Sequence, residues 1–187
     1  MTTRDLVLAA LFTAIIVVLG LIPPVPLPWL PVPITAQSMG VMLAGCIIGA
    51  KRGALAYALL VVLVAIGLPV LSGGRGGLGL LMGPTAGYIF GWIVGAAVTG
   101  LLAERLVAER QSAVRQMAGF FLASAIGGIL TVYALGIPVV WLVAGTPLDT
   151  VAMGSLAFLP ADLLKAAIAT LAARAVIIGY PLLPHRV

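Results

Sequence analysis

Residues 151–178 read VAMGSLAFLPADLLKAAIATLAARAVII, an apolar run long enough to cross a membrane as a helix. Within it, Asp162, Lys165 and Arg174 are the charged residues. A charged side chain at the centre of a membrane helix costs roughly 2.5–3.5 kcal/mol, so such residues are seldom kept there without a function. Because Asp162 and Lys165 are three residues apart, they share one face of a helix. This pair is the first place to look for a ligand.

The rest of the chain has the same apolar character. It is 63% hydrophobic and 8% charged, with a mean hydropathy of +1.26, which is too apolar for a water-soluble domain. Six apolar runs are long enough for helices and too long for barrel strands. They fall at about 6–22, 34–50, 54–71, 84–103, 117–143 and 151–178. The sequence therefore predicts an all-α membrane protein, a six-transmembrane-helix bundle forming a single integral membrane domain over residues 1–187.

The charges of the chain indicate its orientation. With the N-terminus inside, nearly all basic residues fall on the cytoplasmic side, and Arg75 is the basic residue of the outer loops. The cytoplasmic set is Arg4, Lys51, Arg52, Arg105, Arg110, Arg115, Arg174 and Arg186. This asymmetry predicts that both termini are cytoplasmic in a bacterial inner membrane. It also accounts for the net charge of +5 without a nucleic-acid partner.

Two outer loops have compositions that suit lids over a cavity. Residues 23–33 contain prolines at alternate positions, which excludes a helix and favours a stiff extended chain. Residues 72–79 read SGGRGGLG, where the glycines allow close approach to a ligand or left-handed dihedral angles. No Gly-Lys-Ser/Thr follows, so this loop lacks the context of a phosphate-binding loop.

Small residues at four-residue spacing predict close helix contacts. One series is Gly87, Gly91 and Gly95, and a second is Gly45 and Gly49. Ala10 and Ala14 form a similar pair on the first helix. That pair could receive a helix of another subunit, or it could pack within the chain.

The inventory of reactive side chains argues against an enzyme. The one histidine, His185, is near the C-terminus, and the one cysteine, Cys46, sits in an apolar run without a disulfide partner. A zinc site needs three or four His, Cys or carboxylate ligands, and the five acidic residues are scattered over the chain. We therefore expect no metal site and no cofactor.

Further polar residues are predicted at the depth of Asp162 and Lys165. Thr35 and Gln37 begin the second span, Arg75 lies in the glycine loop, and Thr85 and Tyr88 begin the fourth span. Convergent polar groups of this kind are typical of a ligand pocket. A simple salt bridge between Asp162 and Lys165 that stabilises the bundle is the competing interpretation.

Three ordered motifs resemble the BioY family, the biotin-specific substrate-binding components of energy-coupling-factor (ECF) transporters. They are PVPITAQ at 31–37, GGRGG at 73–77 running to GPTAGY at 83–88, and LPADLLK at 159–165. Ala86 and Ala161 stand where the family commonly has glycine. The resemblance implies six helices and a biotin pocket beneath the loops after helices one and three. The candidate substrate-binding residues are Asp162, Lys165, Tyr88, Thr35, Gln37, Arg75, Thr85 and Gly74.

In this interpretation Asp162 accepts hydrogen bonds from the ureido N–H groups of biotin. Lys165 or Arg75 suits an acceptor or the carboxylate, and the partner of Lys165 stays open. The resemblance also implies that Ala10 and Ala14 dock on a transmembrane coupling protein driven by two ATPase subunits. Function as a homo-oligomer without that module stays open as well.

Three other functions remain compatible with the sequence. The same class of component could bind another vitamin, such as thiamin or riboflavin. A membrane enzyme could act on a lipid, with Asp162 as general acid or base. A structural assembly subunit would use neither Asp162 nor Lys165 for uptake.

Overall fold

The structure, a computed structural model, describes residues 1–180 and 182–183 and is mostly helical. The helices are α1 (Thr3–Gly20), α2 (Gln37–Ala65), α3 (Leu78–Met82), α4 (Ala86–Leu106), α5 (Ala113–Ala123), α6 (Val132–Ala144), α7 (Leu148–Ser155) and α8 (Leu159–Gly179). A π-helical stretch, Ser124–Thr131, joins α5 to α6, and a 3-10 turn, Leu156–Phe158, joins α7 to α8. Five continuous helical stretches in the described part are long and apolar enough to cross a membrane. His185 and Arg186 lie outside the described residues.

The proline-rich loop forms a small β-hairpin, which the prediction of a purely helical chain missed. Strands β1 (Val25–Leu27) and β2 (Leu30–Ile34) are antiparallel, and the partners are Val25 with Ile34 and Leu27 with Leu30. None of these partners is a proline. Because proline lacks a backbone N–H, alternate prolines can occupy a strand only where no ladder donor is needed. The extended conformation expected from the prolines is therefore present, but as a paired ribbon.

Helix α2 is a hairpin of two helical segments rather than one straight rod. The Tyr57 hydroxyl donates to the Gln37 carbonyl oxygen at 2.7 Å, although these residues are twenty positions apart. In a straight helix that separation would be about 30 Å. The chain reverses at Gly49, whose φ of 82° and ψ of 179° are not helical. The separate apolar runs predicted at 34–50 and 54–71 thus correspond to the two segments, 37–48 and 50–65.

The reversal is held by α4. The Glu104 carboxylate accepts the backbone N–H of Ala50 at 2.8 Å and so caps the second segment. Within the hairpin, a Cβ at Gly53 would lie 3.3 Å from backbone atoms of Ala44 and Gly45, which shows how closely the segments approach. Glycine at this position permits the close contact, and α2 packs mainly on α4.

Two helix boundaries differ from the prediction. The second segment of α2 ends at Ala65 instead of residue 71, because Gly67 takes a φ of 92° and Pro69 follows. The last predicted helix, 151–178, is interrupted by the 3-10 turn, and α8 begins at Leu159 with Pro160 in its first turn. Asp162 therefore lies in the first turn of α8, because proline favours the start of a helix and Pro160 stands two residues before it.

The predicted glycine seams are present with one exception. Gly87, Gly91 and Gly95 of α4 face α6 and the π-helical stretch, and Gly45 faces Thr99. Added methyl groups at these positions would meet backbone or side-chain atoms of the facing helix within 3.5 Å. Gly49 serves instead as the residue of the chain reversal. The α4 glycines let α6 pack closely enough to form one wall of the cavity described below.

Both ends of the described chain meet at one end of the bundle. Arg52 forms an ion pair with Asp5 at 2.7 Å and donates to the Leu182 carbonyl at 2.9 Å. Arg4 stacks over the ring of Tyr180 at 5.9 Å. The α2 reversal, the N-terminus and the end of α8 are thus on the same side of the molecule. The β-hairpin, the glycine loop and the start of α8 surround the cavity away from this charged end.

Candidate functional site

A cavity lies between the β-hairpin, the glycine loop and the beginnings of α2, α4 and α8. The space between its walls, counted together with the open solvent at its mouth, is about 650 Å³. Its lining is mostly apolar and aromatic with a few charged and hydroxyl groups, as is usual for a small-molecule site. Seven predicted residues line it: Asp162, Lys165, Tyr88, Thr35, Gln37, Arg75 and Thr85.

Asp162 is the most connected polar residue of the cavity. One carboxylate oxygen, Oδ1, pairs with the Lys165 ammonium at 2.7 Å, and the other, Oδ2, accepts the Tyr133 hydroxyl at 2.8 Å. Lys165 also donates to the Ser38 hydroxyl at 2.9 Å. The Ser38 hydroxyl can donate a hydrogen bond to the Thr35 carbonyl oxygen at 3.2 Å or to Asp162 Oδ1 at 3.4 Å. These contacts fix the carboxylate, and Oδ2, which accepts one hydrogen bond, keeps acceptor capacity for a ligand.

The Asp162–Lys165 salt bridge exists, as the competing interpretation of the sequence expected. The residue Asp162 is 5% exposed and the Lys165 side chain is 13% exposed, so the pair is largely shielded from solvent. Both residues nevertheless line the cavity, so they are not sealed against each other. A buried pair of opposite charges is weak evidence for stabilisation, because desolvation offsets much of the attraction. Open space beside the pair is what a binding role requires.

Aromatic rings form another wall. Tyr88, Tyr133 and Phe158 meet pairwise edge to face, with ring centroids 6.1–6.4 Å apart. A Cβ at Gly136 would lie 2.6 Å from the Tyr88 ring, so glycine there leaves room for the ring. The Tyr88 hydroxyl is 3.1 Å from the Ser155 hydroxyl, which ties the wall to α7. Such an assembly gives a rigid apolar surface suited to a small saturated ring.

The glycine loop brings a second cation to the cavity. Leu71 and Arg75 form an isolated antiparallel bridge, and the apex between them is Gly73 and Gly74, with φ of 80° and 68°. The expected left-handed glycines are therefore present at these two positions. Arg75 lines the cavity from this loop, whereas Lys165 lines it from α8. Two ends of one ligand can thus be held by separate elements.

Gly74 and Gln37 differ in detail from what the sequence indicated. Gly74 lies at the apex of the turn and does not line the main cavity; it borders a separate hollow beside Gly20 and Pro24. Gln37 borders the cavity but is fully buried, and its side-chain amide bonds to backbone groups and to Ser72. Neither position therefore offers a free side-chain group to a ligand.

Ser38, Trp92, Tyr133 and Phe158 are among the lining residues that sequence reasoning missed. Ser38 follows Gln37 directly, and its position in the first turn of α2 was a usable signal. Tyr133 lies far from every motif, and Trp92 also packs on Tyr57 at 5.8 Å. Trp29 and Trp141 are 56% and 44% exposed and are not in this lining.

Ala10 and Ala14 lie on the exposed face of α1. Their neighbours on that face, Leu11 and Val18, are more than half exposed. No other helix of the described chain packs on this stripe of α1. The structure therefore does not have the packing of Ala10 and Ala14 within the chain that the sequence left open. In the described part of the chain, no group of three or more His, Cys, Asp or Glu side chains is placed to hold a metal ion.

Comparison with known proteins gives a consistent result. A sequence model described as the BioY family matches residues 1–181. A biotin transporter BioY of Rhizobium etli is 59% identical over 186 residues, covering 100% of both chains. A biotin transporter BioY of Rhodobacter capsulatus is 48% identical, covering 92% of this chain and 93% of the relative.

A solved structure has the same fold. The crystal structure of the S-component for biotin from an ECF-type ABC transporter matches with a TM-score of 0.89. The match covers 97% of each chain at 30% sequence identity. The likeness therefore extends over nearly the whole length of the chain.

Proposed function

This chain belongs to the BioY family, and on that premise we propose that it binds biotin with high affinity and mediates biotin uptake as the substrate-binding component of an ECF-type transporter. It is a multi-pass membrane transport protein and not an enzyme. The observation that carries the proposal is the Asp162–Lys165 pair at a cavity walled by aromatic rings. The family supplies the identity of the vitamin, and the cavity supplies groups of matching chemistry.

The functional groups of biotin match those of the cavity one by one. Its ureido ring has two N–H donors and a carbonyl acceptor, which suit the Asp162 carboxylate and the Lys165 ammonium. Its apolar thiophane ring suits the surface made by Tyr88, Tyr133 and Phe158. Its valerate carboxylate suits the Arg75 guanidinium on the glycine loop. Recognition would then use α8 for the ring system and the loop for the tail.

Six membrane crossings are proposed from the α2 hairpin. Its segments 37–48 and 50–65 would be about 18 and 24 Å long, shorter than a hydrocarbon core of about 30 Å. Short segments are tolerated where protein covers their ends, and Glu104 covers the reversal. With the charged end of the bundle inside, both termini are cytoplasmic and the cavity opens outward in a bacterial inner membrane.

The exposed stripe of α1 is the proposed docking surface for a transmembrane coupling protein, which two ATPase subunits would drive. Small side chains at Ala10 and Ala14 permit another helix to approach the backbone closely. The same stripe could join copies of this chain into a homo-oligomer. Experiments on the whole transporter distinguish docking on a coupling protein from homo-oligomer formation.

The test is equilibrium binding of labelled biotin to the detergent-purified chain. We expect Asp162→Asn to weaken binding by about 1.5–3 kcal/mol, the range for a hydrogen bond to a charged group. That corresponds to roughly a 10- to 150-fold rise in Kd. Asp162→Asn leaves the Lys165 charge buried without its carboxylate partner, which can destabilise the fold. The double variant Asp162→Asn/Lys165→Met removes both charges, so it should fold better and is the clearer test of binding.

The matched control is Asp149→Asn, which changes an acidic residue in the exposed first turn of α7. Its Kd for biotin should equal that of the unchanged chain. Thiamin and riboflavin are titrated in parallel. Binding of either vitamin instead of biotin, or unchanged biotin affinity in the folded double variant, would contradict the proposal.

A further inference from the structure

The side chain of Gln37 is fully buried, and protein groups use its whole hydrogen-bonding capacity. Its Nε2 donates to the carbonyl oxygens of Ile16 at 3.2 Å and Val70 at 2.9 Å. Its Oε1 accepts the backbone N–H of Ser72 at 2.9 Å and the Ser72 hydroxyl at 3.2 Å. An amide has two N–H donors and one oxygen with two lone pairs, so nothing remains for a ligand. The amide of Gln37 can therefore influence binding only through its hydrogen-bond partners.

Those neighbours form the turn that carries Arg75. Leu71 and Arg75 exchange two backbone hydrogen bonds, at 3.0 and 3.1 Å, which close the turn at its base. Its apex glycines have left-handed dihedral angles. Ser72, the residue after the base, is fully buried and anchored by Gln37. The turn is thus fixed to the bundle on the Ser72 side, while Gly73 and Gly74 stay exposed.

The Arg75 side chain is held by the same residue. Its Nε–H donates to the Ser72 carbonyl oxygen at 3.0 Å. Guanidinium has five N–H donors, and this contact uses one of them, so the four N–H groups of the terminal nitrogens are not used by it. A continuous series of hydrogen bonds therefore runs from Gln37 through Ser72 to Arg75 at the cavity.

A glycine in α1 makes room for this arrangement. A Cβ at Gly20 would lie 2.6 Å from Gln37 Nε2 and 2.8 Å from the Val70 carbonyl oxygen. Both atoms are partners in the same hydrogen bond, so even a methyl group at residue 20 must displace it. Gly20→Ala therefore perturbs Gln37 from outside the cavity without removing any group that lines it.

We propose that Gln37 is a positioning residue: it holds the Leu71–Arg75 turn so that the Arg75 guanidinium is oriented toward the carboxylate of the bound vitamin. The inference rests on the proposed function and deepens it. Gln37 does not hydrogen-bond to the vitamin; it holds the turn in its binding conformation beforehand. This preorganisation reduces the conformational entropy that the turn loses on binding. Without Gln37, Arg75 keeps its charge but loses its fixed orientation.

A double-mutant cycle tests this role, with Kd values for biotin measured on purified protein. Gln37→Met and Arg75→Met should each weaken binding by about tenfold or more, the loss expected when a charged group loses its hydrogen bond. The Kd of the Gln37→Met/Arg75→Met variant should be within about twofold of the Kd of the single variant that binds biotin more weakly. The reason is that the effects of residues that act through one another are not additive. If Gln37 has a purely structural role, the fold-increase in Kd of the double variant should equal the product of the fold-increases of the two single variants.

Gly20→Ala provides an independent arm in case Gln37→Met does not fold. It should weaken biotin binding in the chain with Arg75 and have little effect in the Arg75→Met background. Its matched control is Gly79→Ala, because no atom lies within 4 Å of a Cβ added at Gly79. That control should bind biotin as the unchanged chain does.

The possible outcomes distinguish a failure of the proposed biotin binding from a failure of the positioning role alone. If the unchanged chain does not bind biotin, the proposed function fails and this inference fails with it. If the unchanged chain binds biotin but the losses from residues 37 and 75 multiply, or Gly20→Ala acts equally in both backgrounds, the positioning role alone is overturned.

Discussion

At the scale of single residues, the cavity depends on how neighbouring groups share one carboxylate. Asp162 receives the Lys165 ammonium on Oδ1 and the Tyr133 hydroxyl on Oδ2. The two contacts come from different elements, α8 itself and α6. Together they orient the carboxylate before any ligand arrives, which is the usual requirement for tight recognition of a small molecule.

The Tyr133 hydroxyl should therefore affect biotin affinity although Asp162 is the proposed contact. Tyr133→Phe keeps the ring in its edge-to-face cluster and removes the donor at 2.8 Å. We expect titration to show a loss of about 1.5–3 kcal/mol in the free energy of biotin binding, since a hydrogen bond to a charged group is lost. Tyr180→Phe, at a 65% exposed ring near the other end, is the control and should not change the Kd. Equal affinities of all three proteins would contradict the assigned network.

At the scale of elements, two departures from the α-helix shape the bundle. The π-helical stretch Ser124–Thr131 takes one more residue per hydrogen-bonded turn than an α-helix and so changes which following side chains face the cavity. Gly128, Val132 and Tyr133 all line the cavity at this point. The reversal at Gly49 is the second departure, and it converts one apolar stretch into two packed segments.

Gly49→Ala should destabilise the fold. The φ of 82° with a ψ of 179° belongs to a region that is essentially restricted to glycine, and strain of about 1–3 kcal/mol is expected for another residue. A fall in the thermal unfolding midpoint of the purified protein would measure it. Gly179→Ala is the matched control, because an added Cβ there has no neighbour within 4 Å. An unchanged midpoint for Gly49→Ala would show that the reversal does not depend on glycine.

At the scale of the whole molecule, the proposed binding cavity and the proposed docking surface lie on different parts of the bundle. The cavity lies among the β-hairpin, the glycine loop and α8, whereas the alanine stripe lies on the outer face of α1. Helix α1 is peripheral, with 28% of its spanning window buried against 61% for α4. A large residue on the α1 face can therefore be introduced without entering the core.

Ala14→Trp should separate the two activities. Biotin binding by the isolated chain should stay unchanged, because residue 14 is exposed and outside the cavity lining. Association with the coupling protein, measured by co-purification, and biotin uptake by cells should both fall strongly, because a bulky side chain prevents close helix approach. The control is Leu164→Trp on α8, at a position 63% exposed. Normal co-purification of Ala14→Trp would exclude this face as the docking surface.

The sequence by itself determined the apolar helical class, the first-turn position of Asp162 after Pro160, and the gathering of Thr35, Arg75, Thr85, Tyr88 and Lys165 near it. These follow from local rules: run length, proline geometry and the side on which each loop falls. The tertiary structure alone decided that Tyr133 reaches Asp162, that Gln37 faces the glycine loop, and that Gly74 turns away. Such contacts join residues 29 to 35 positions apart, and their geometry is set by helix packing that periodicity does not encode.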